Sequence, residues 1–216
     1  ANAAALYFDA QCAEAAGDVE LAQSLYSLAK DRDVLRFRAH ESINDVINAF
    51  ALQNGVFIAD SQALFRQQSQ HGIIGNNLLV EHLHPNGKGY NLIAQSFLHA
   101  LATNAIIDKP VPTGFNRYDW SKATLSDVDE ALATHKIRRL TSDYPFTQHP
   151  VAVPPITGSS IISRMARQRD QGQSWLAQQP TLLDYYAKQG DLARPARTAA
   201  MPFDALPWEH QTAPPA

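Results

Sequence analysis

Glu81 stands three residues before His84, with His82 between them. A carboxylate that reaches one nitrogen of an imidazole fixes the tautomer of the ring and stabilises its protonated form. The other nitrogen is then left to act as a general base. Pro85 follows at once and biases His84 away from helical geometry, placing it at the end of an extended loop. Asn86, Gly87 and Gly89 allow a sharp turn, after which Tyr90, Ile93, Ala94, Phe97, Leu98 and Leu101 repeat as one face of a helix. With 21 acidic residues and 8 histidines in 216, about one acid–histidine pair at this spacing is expected by accident. The spacing alone therefore carries no weight; the whole string from Glu81 to Ala94 does.

Other residues near this string have competing readings. His82 and His84 fall on the same side of an extended segment, where Glu81 or His71 would add a metal ligand. No separate third ligand is indicated by spacing, and no cofactor is expected. Arg36 and Arg38 alternate with Leu35 and Phe37, which predicts a short extended connector with both arginines on one side. They are either solvated and paired with Asp31 or Asp33, or they bind an anionic or carboxylate group of a substrate. Asp60 reads first as a helix cap for 61–68 and second as a catalytic acid, and His71 as a solvated loop residue. Gly158-Ser159-Ser160 reads as a helix start, not a nucleophile, and Cys12 as a small packing residue on a helix.

The elements that would position these residues follow from periodicity. Residues 3–31 predict two short helices broken at Gly17-Asp18, with Leu6, Tyr7, Ala10 and Ala13 on the first face and Leu21, Ala22, Leu25, Tyr26 and Ala29 on the second. A helix over 41–54 carries Ile43, Val46, Ile47, Phe50 and Ala51 and ends at Asn54-Gly55. Val56-Phe57-Ile58-Ala59 is wholly apolar and predicts a buried parallel strand, which makes the expected fold class α/β. Further helices are expected from 125 to 140, near 160–170 and near 173–188. Residues 108–114 compose a linker, and the Pro-rich residues after 195 a tail or arm in which Phe203, Leu206 and Trp208 could dock on a partner or on the chain's own body.

The string Glu81-His82-Leu83-His84-Pro85-Asn86, with Gly89, Tyr90, Ile93 and Ala94, resembles the last block of the SGNH (GDSL-type) ester hydrolases. Their usual pattern has Asp where Glu81 stands here. The order of parts over 33–102, together with the small–large alternation of Ala22, Tyr26 and Ala29, is similar to bacterial members with tetratricopeptide-like hairpins. The resemblance implies the C-terminal part of a three-layer αβα fold, mostly helical in this chain. It implies His84 as general base and Glu81 as orienting acid, with His82 behind the pair, facing an ester substrate or merely exposed; Arg36 and Arg38 are the further candidates toward that substrate. No Gly-Asp-Ser string occurs, so the nucleophilic serine and the oxyanion-hole Gly and Asn are expected in an upstream segment or a separate chain. The expected organisation is a helical hairpin at 1–32, the hydrolase-like part at 33–104, a helical extension at 105–194 and a Pro-rich tail at 195–216. The rival from another class is a non-catalytic interaction module that binds a protein partner through the hairpin or the tail.

Composition limits the remaining possibilities. A net charge of -3 supplies no basic field for nucleic acid. No apolar run approaches the roughly 20 residues of a membrane span. A single cysteine excludes an internal disulfide and fits either redox compartment.

Overall fold

A computed structural model describes residues 2–107, 125–190 and 198. The linker expected at 108–114 lies outside the described residues, as does the Pro-rich arm with Phe203, Leu206 and Trp208. The chain divides into two units, Ala1–Tyr118 and Asp119–Ala216.

The first unit opens with a helical hairpin. The Asn2 side chain accepts from the Ala4 amide at the start of α1 (Ala3–Ala15), and Asp18 accepts from the Leu21 amide at the start of α2 (Val19–Asp31). Gly17, at φ +82°, turns the chain between them in a region most side chains avoid. Leu6, Ala10 and Ala13 are buried against Ala22 and Ala29, and such small side chains let two helices approach closely. Tyr26 donates its hydroxyl to Glu14 at 2.7 Å. Burial first, and then that acceptor, push its phenol up to about 12. Cys12 is exposed, so it is not the packing residue that its helical position suggests.

α3 (Glu41–Asn54) ends at Gly55 in a left-handed conformation. It buries Ala51 but leaves Ile43, Val46, Ile47 and Phe50 exposed. The α/β expectation fails immediately afterwards. Among the described residues there are eight α-helices, a short 3-10 turn and no strand. The β-like pairing seen there is an isolated antiparallel bridge between Leu79 and Pro85. Val56–Ala59 is coil, and Phe57 is 57% exposed. A strand is stabilised by a neighbouring ladder, and helices flank this run on both sides. Its β-forming composition therefore has no strand to pair with among the described residues, which are helical and not the expected three-layer αβα arrangement.

Asp60 caps α4 (Ser61–Gln67) by accepting from the Ala63 amide at 2.8 Å. A 3-10 turn at Gln70–Gly72 follows, in which His71 has φ 54°. Gln23 of α2 donates to the His71 carbonyl, tying the hairpin to this turn. α5 (Gly87–Thr103) is capped by Asn86 and packs on α4 around Phe65, Leu78 and Leu92. Its buried face is Gly89, Leu92, Gln95 and Ser96, not the Tyr90–Phe97 stripe that periodicity favours. Close approach explains the rotation. A Cβ at Gly89 would collide with the Leu78 carbonyl and lie 2.8 Å from the Pro85 side chain and 3.3 Å from Phe65. The face bearing the glycine turns inward, and Ser96 meets Ser61 of α4 at 2.6 Å.

The second unit contains α6 (Asp127–Leu140), α7 (Ile161–Asp170) and α8 (Trp175–Lys188). Ser126 and Asp129 form a reciprocal capping box at the start of α6. Ser160 caps α7 by accepting from the Ser163 amide, which gives the Gly158-Ser159-Ser160 segment a structural role. Val128, Leu132, Met165, Ala166, Leu182 and Tyr186 build its core. Arg169 pairs with Asp129 at 3.3 Å and Arg139 with Asp170 at 3.0 Å, joining α6 to α7. Among the described residues, no helix is long and apolar enough to cross a membrane.

Candidate functional site

The loop that presents Glu81, His82 and His84 is pinned at its base. The Val80 amide donates to the His84 carbonyl at 2.9 Å, and the Asn86 amide donates to the Leu78 carbonyl at 2.9 Å. The Asn86 side chain accepts from the Gly89 amide at 3.0 Å and donates to the Asn77 carbonyl at 3.1 Å. Leu78 is wholly buried beneath the loop, in the same cluster as Phe65 and Leu92. Seven residues are thus held between a buried anchor at Leu78 and the helix cap at Asn86, which suits a site built for fixed geometry.

Within that loop the Glu81 carboxylate is the hub. Its side chain is only 4% exposed, against 55% for His84 and 22% for His82. Oε1 accepts from the His84 amide at 2.7 Å and also contacts Nδ1 of the His84 ring. Oε2 accepts from the Leu83 amide at 3.2 Å and contacts Nδ1 of His82. A carboxylate offers about four lone-pair positions, and each oxygen here meets two partners. Burial alone would raise the Glu81 carboxyl. The His84 amide, the His84 ring, the His82 charge and the Leu83 amide outweigh burial and hold it below the usual glutamate range.

This arrangement assigns the two nitrogens of His84 different tasks. With Nδ1 against Glu81, Nδ1 carries the proton and Nε2 keeps a lone pair on a half-exposed ring. The extra methylene of Glu relative to Asp does not prevent that contact. The side chain folds back on its own loop, taking two backbone amides on the way.

The other predicted residues are distributed differently. Arg36 and Arg38 are exposed, and Arg38 lies 4.0 Å from Asp33. The connector is not evenly extended, because the Phe37 amide donates to the Leu35 carbonyl and closes a tight turn. The connector residue whose ring meets the loop is Phe37, edge-on to His82 with 4.8 Å between centroids. Sequence reasoning passed over Phe37. Its signal was the aromatic interrupting two arginines, but a contact with so distant a loop is not encoded in local spacing. His71 lies in the 3-10 turn, where its carbonyl is held by Gln23. Among the described residues, no group of three or more His, Cys, Asp or Glu is arranged to hold a metal ion.

A charged cluster anchors the start of the connector. Lys30 donates to Glu41 at 2.7 Å and to the Ala39 carbonyl at 3.0 Å. Glu41 also accepts from Gln62 at 3.0 Å and from Arg66 at 3.2 Å, so α2, α3 and α4 share one carboxylate. No family model matches the chain, and neither the curated proteins nor the solved structures contain a significant match to it.

Proposed function

We propose that Glu81 and His84 are the orienting acid and general base of a serine ester hydrolase resembling the SGNH (GDSL) type, with the serine supplied from outside this sequence. The observation that carries this reading is the buried carboxylate on Nδ1 of a half-exposed imidazole, in a loop pinned at both ends. Nε2 takes the proton of the serine hydroxyl as its oxygen bonds to the ester carbonyl carbon. The imidazolium then passes that proton to the departing alkoxide, and the same pair activates water to release the acyl group. Glu81 stabilises the imidazolium throughout without itself being protonated.

A second observation supports completion by another polypeptide segment. Ile43, Val46, Ile47 and Phe50 on α3, Val56 to Ile58, and Tyr90 and Phe97 on α5 are all exposed. Apolar residues exposed in this number within one small unit suit a surface that another body covers. The interaction-module reading draws on the hairpin, where Tyr7 and Phe8 of α1 are exposed. It shares the covering partner but assigns no task to the buried acid.

The test is fluorophosphonate labelling and p-nitrophenyl ester hydrolysis on the complete product of the gene. Label is expected on a serine outside these 216 residues. His84→Ala is expected to lower kcat by roughly 10²–10⁴. Wild-type turnover in His84→Ala would remove the assignment.

A further inference from the structure

We infer that His82 is a positioning residue for His84, acting through the shared carboxylate of Glu81, and that Phe37 holds the His82 ring in place for that task. The inference rests on the general-base reading of His84 and removes His82 from the substrate-binding role that its place in the loop suggests.

The geometry runs as a chain of contacts. Phe37 meets the His82 ring edge-on, His82 Nδ1 meets Oε2 of Glu81, and Oε1 of Glu81 meets Nδ1 of His84. A carboxylate rotates about its terminal bond unless both oxygens are held. The Leu83 amide holds Oε2 at 3.2 Å, long for an amide–carboxylate hydrogen bond, whereas the His84 amide holds Oε1 at 2.7 Å. His82 Nδ1 adds an ion-pair contact to Oε2 on the weaker side, one that lacks hydrogen-bond geometry. Its ring is itself mostly covered, and the edge-to-face contact with Phe37 limits its rotation. The connector at 33–39 is thereby linked to the base through His82 and Glu81. Partners of this kind, one shell removed from the reacting group, set orientation and tautomer elsewhere in protein chemistry.

Asparagine places an amide N–H where the histidine Nδ1–H lies, and leucine fills similar space with no donor. The experiment compares wild type with His82→Leu, His82→Asn and Phe37→Ala, using helix content by circular dichroism to establish that each is folded. The readout is the pair of ring ¹⁵N shifts of His84, observed through its carbon-bound ring protons above its pKa and assigned with His84→Gln. Wild type and His82→Asn are expected to show a protonated Nδ1 and an unprotonated Nε2. In His82→Leu and Phe37→Ala the two shifts are expected to converge as the tautomers mix. A His84 ring unchanged in His82→Leu, or one that His82→Asn fails to restore, overturns the positioning role and leaves the hydrolase reading standing. A wild-type ring protonated on Nε2 overturns both. Because the shifts need no serine partner, they separate this inference from the ester-hydrolysis test.

Discussion

Replacing Glu41 by Gln removes the charge at the junction of α2, α3 and α4 while keeping the side chain's length. The Glu41 carboxyl is lowered from 4.5 to about 2, chiefly by the Lys30 hydrogen bond acting against burial, with help from Gln62 and the charges of Lys30 and Arg66. At about 1.36 kcal/mol per pH unit, that drop sets a ceiling near 3 kcal/mol. Glu41 is 27% exposed, Arg66 is largely exposed, and Lys30 keeps Asp31 at 3.3 Å after the substitution. Solvent screening and that retained partner bring the expected loss to about 1–2 kcal/mol. With a urea slope of about 1–3 kcal/mol/M for small proteins, the midpoint falls by about 0.3–2 M. The sign follows from linkage. A carboxylate whose folded pKa is depressed stabilises above its unfolded value, and that contribution is lost as pH falls toward the folded one. The difference between wild type and Glu41→Gln is therefore full at pH 7 and shrinks between 4.5 and about 2. Urea unfolding followed through the amide signals of α3 and α4 at pH 7, 4 and 3 measures it. A midpoint difference that is absent at pH 7, or undiminished at pH 3, would refute the reasoning.

Further predictions concern the loop and the two cores. Gly89→Ala should destabilise the first unit by about 1–3 kcal/mol, because the new Cβ meets backbone at Leu78 and the side chain of Pro85; thermal unfolding by circular dichroism measures it, and an unchanged transition counts against the close packing. Glu81→Gln should loosen the His84 tautomer in the same ¹⁵N experiment and, on the proposed hydrolase reading, lower kcat, since a neutral amide stabilises the imidazolium less well. The support Glu81 gives the loop should be present above the ordinary glutamate pKa and weaken as pH drops below it, seen as loss of protection at the Leu83 and His84 amides. Leu182→Ala should cost about 2–5 kcal/mol, because Leu182 is almost fully buried in the α6–α8 core; urea unfolding read by tryptophan fluorescence, with Trp175 on α8, tests it.

The candidate pair was legible because its geometry is local. An acid three residues before a histidine, with Pro85 and Asn86 behind it, can close on itself through backbone amides of the same loop. The sidedness of Arg36 and Arg38 was not legible, for the opposite reason. Alternation predicts sidedness only while a segment stays extended, and a tight turn at Leu35–Phe37 breaks it. The amphipathic stripes of α3 and α5 misled in a related way. Periodicity reports which face is apolar, and only a neighbour determines whether that face is buried.

What the amino-acid order determined by itself is the placement of the helices and the composition of the loop between Leu78 and Gly89. Asn2, Asp18, Asp60, Asn86, Ser126 and Ser160 each cap a helix within three residues, so these starts depend on no distant contact. Tertiary structure decided that Val56–Ala59 is not a strand, that α5 turns its glycine face inward, and that Phe37 reaches His82. Each of those outcomes requires a partner remote in the chain. A strand depends on a second backbone to bond with, and a helix face or an aromatic edge on a surface to meet.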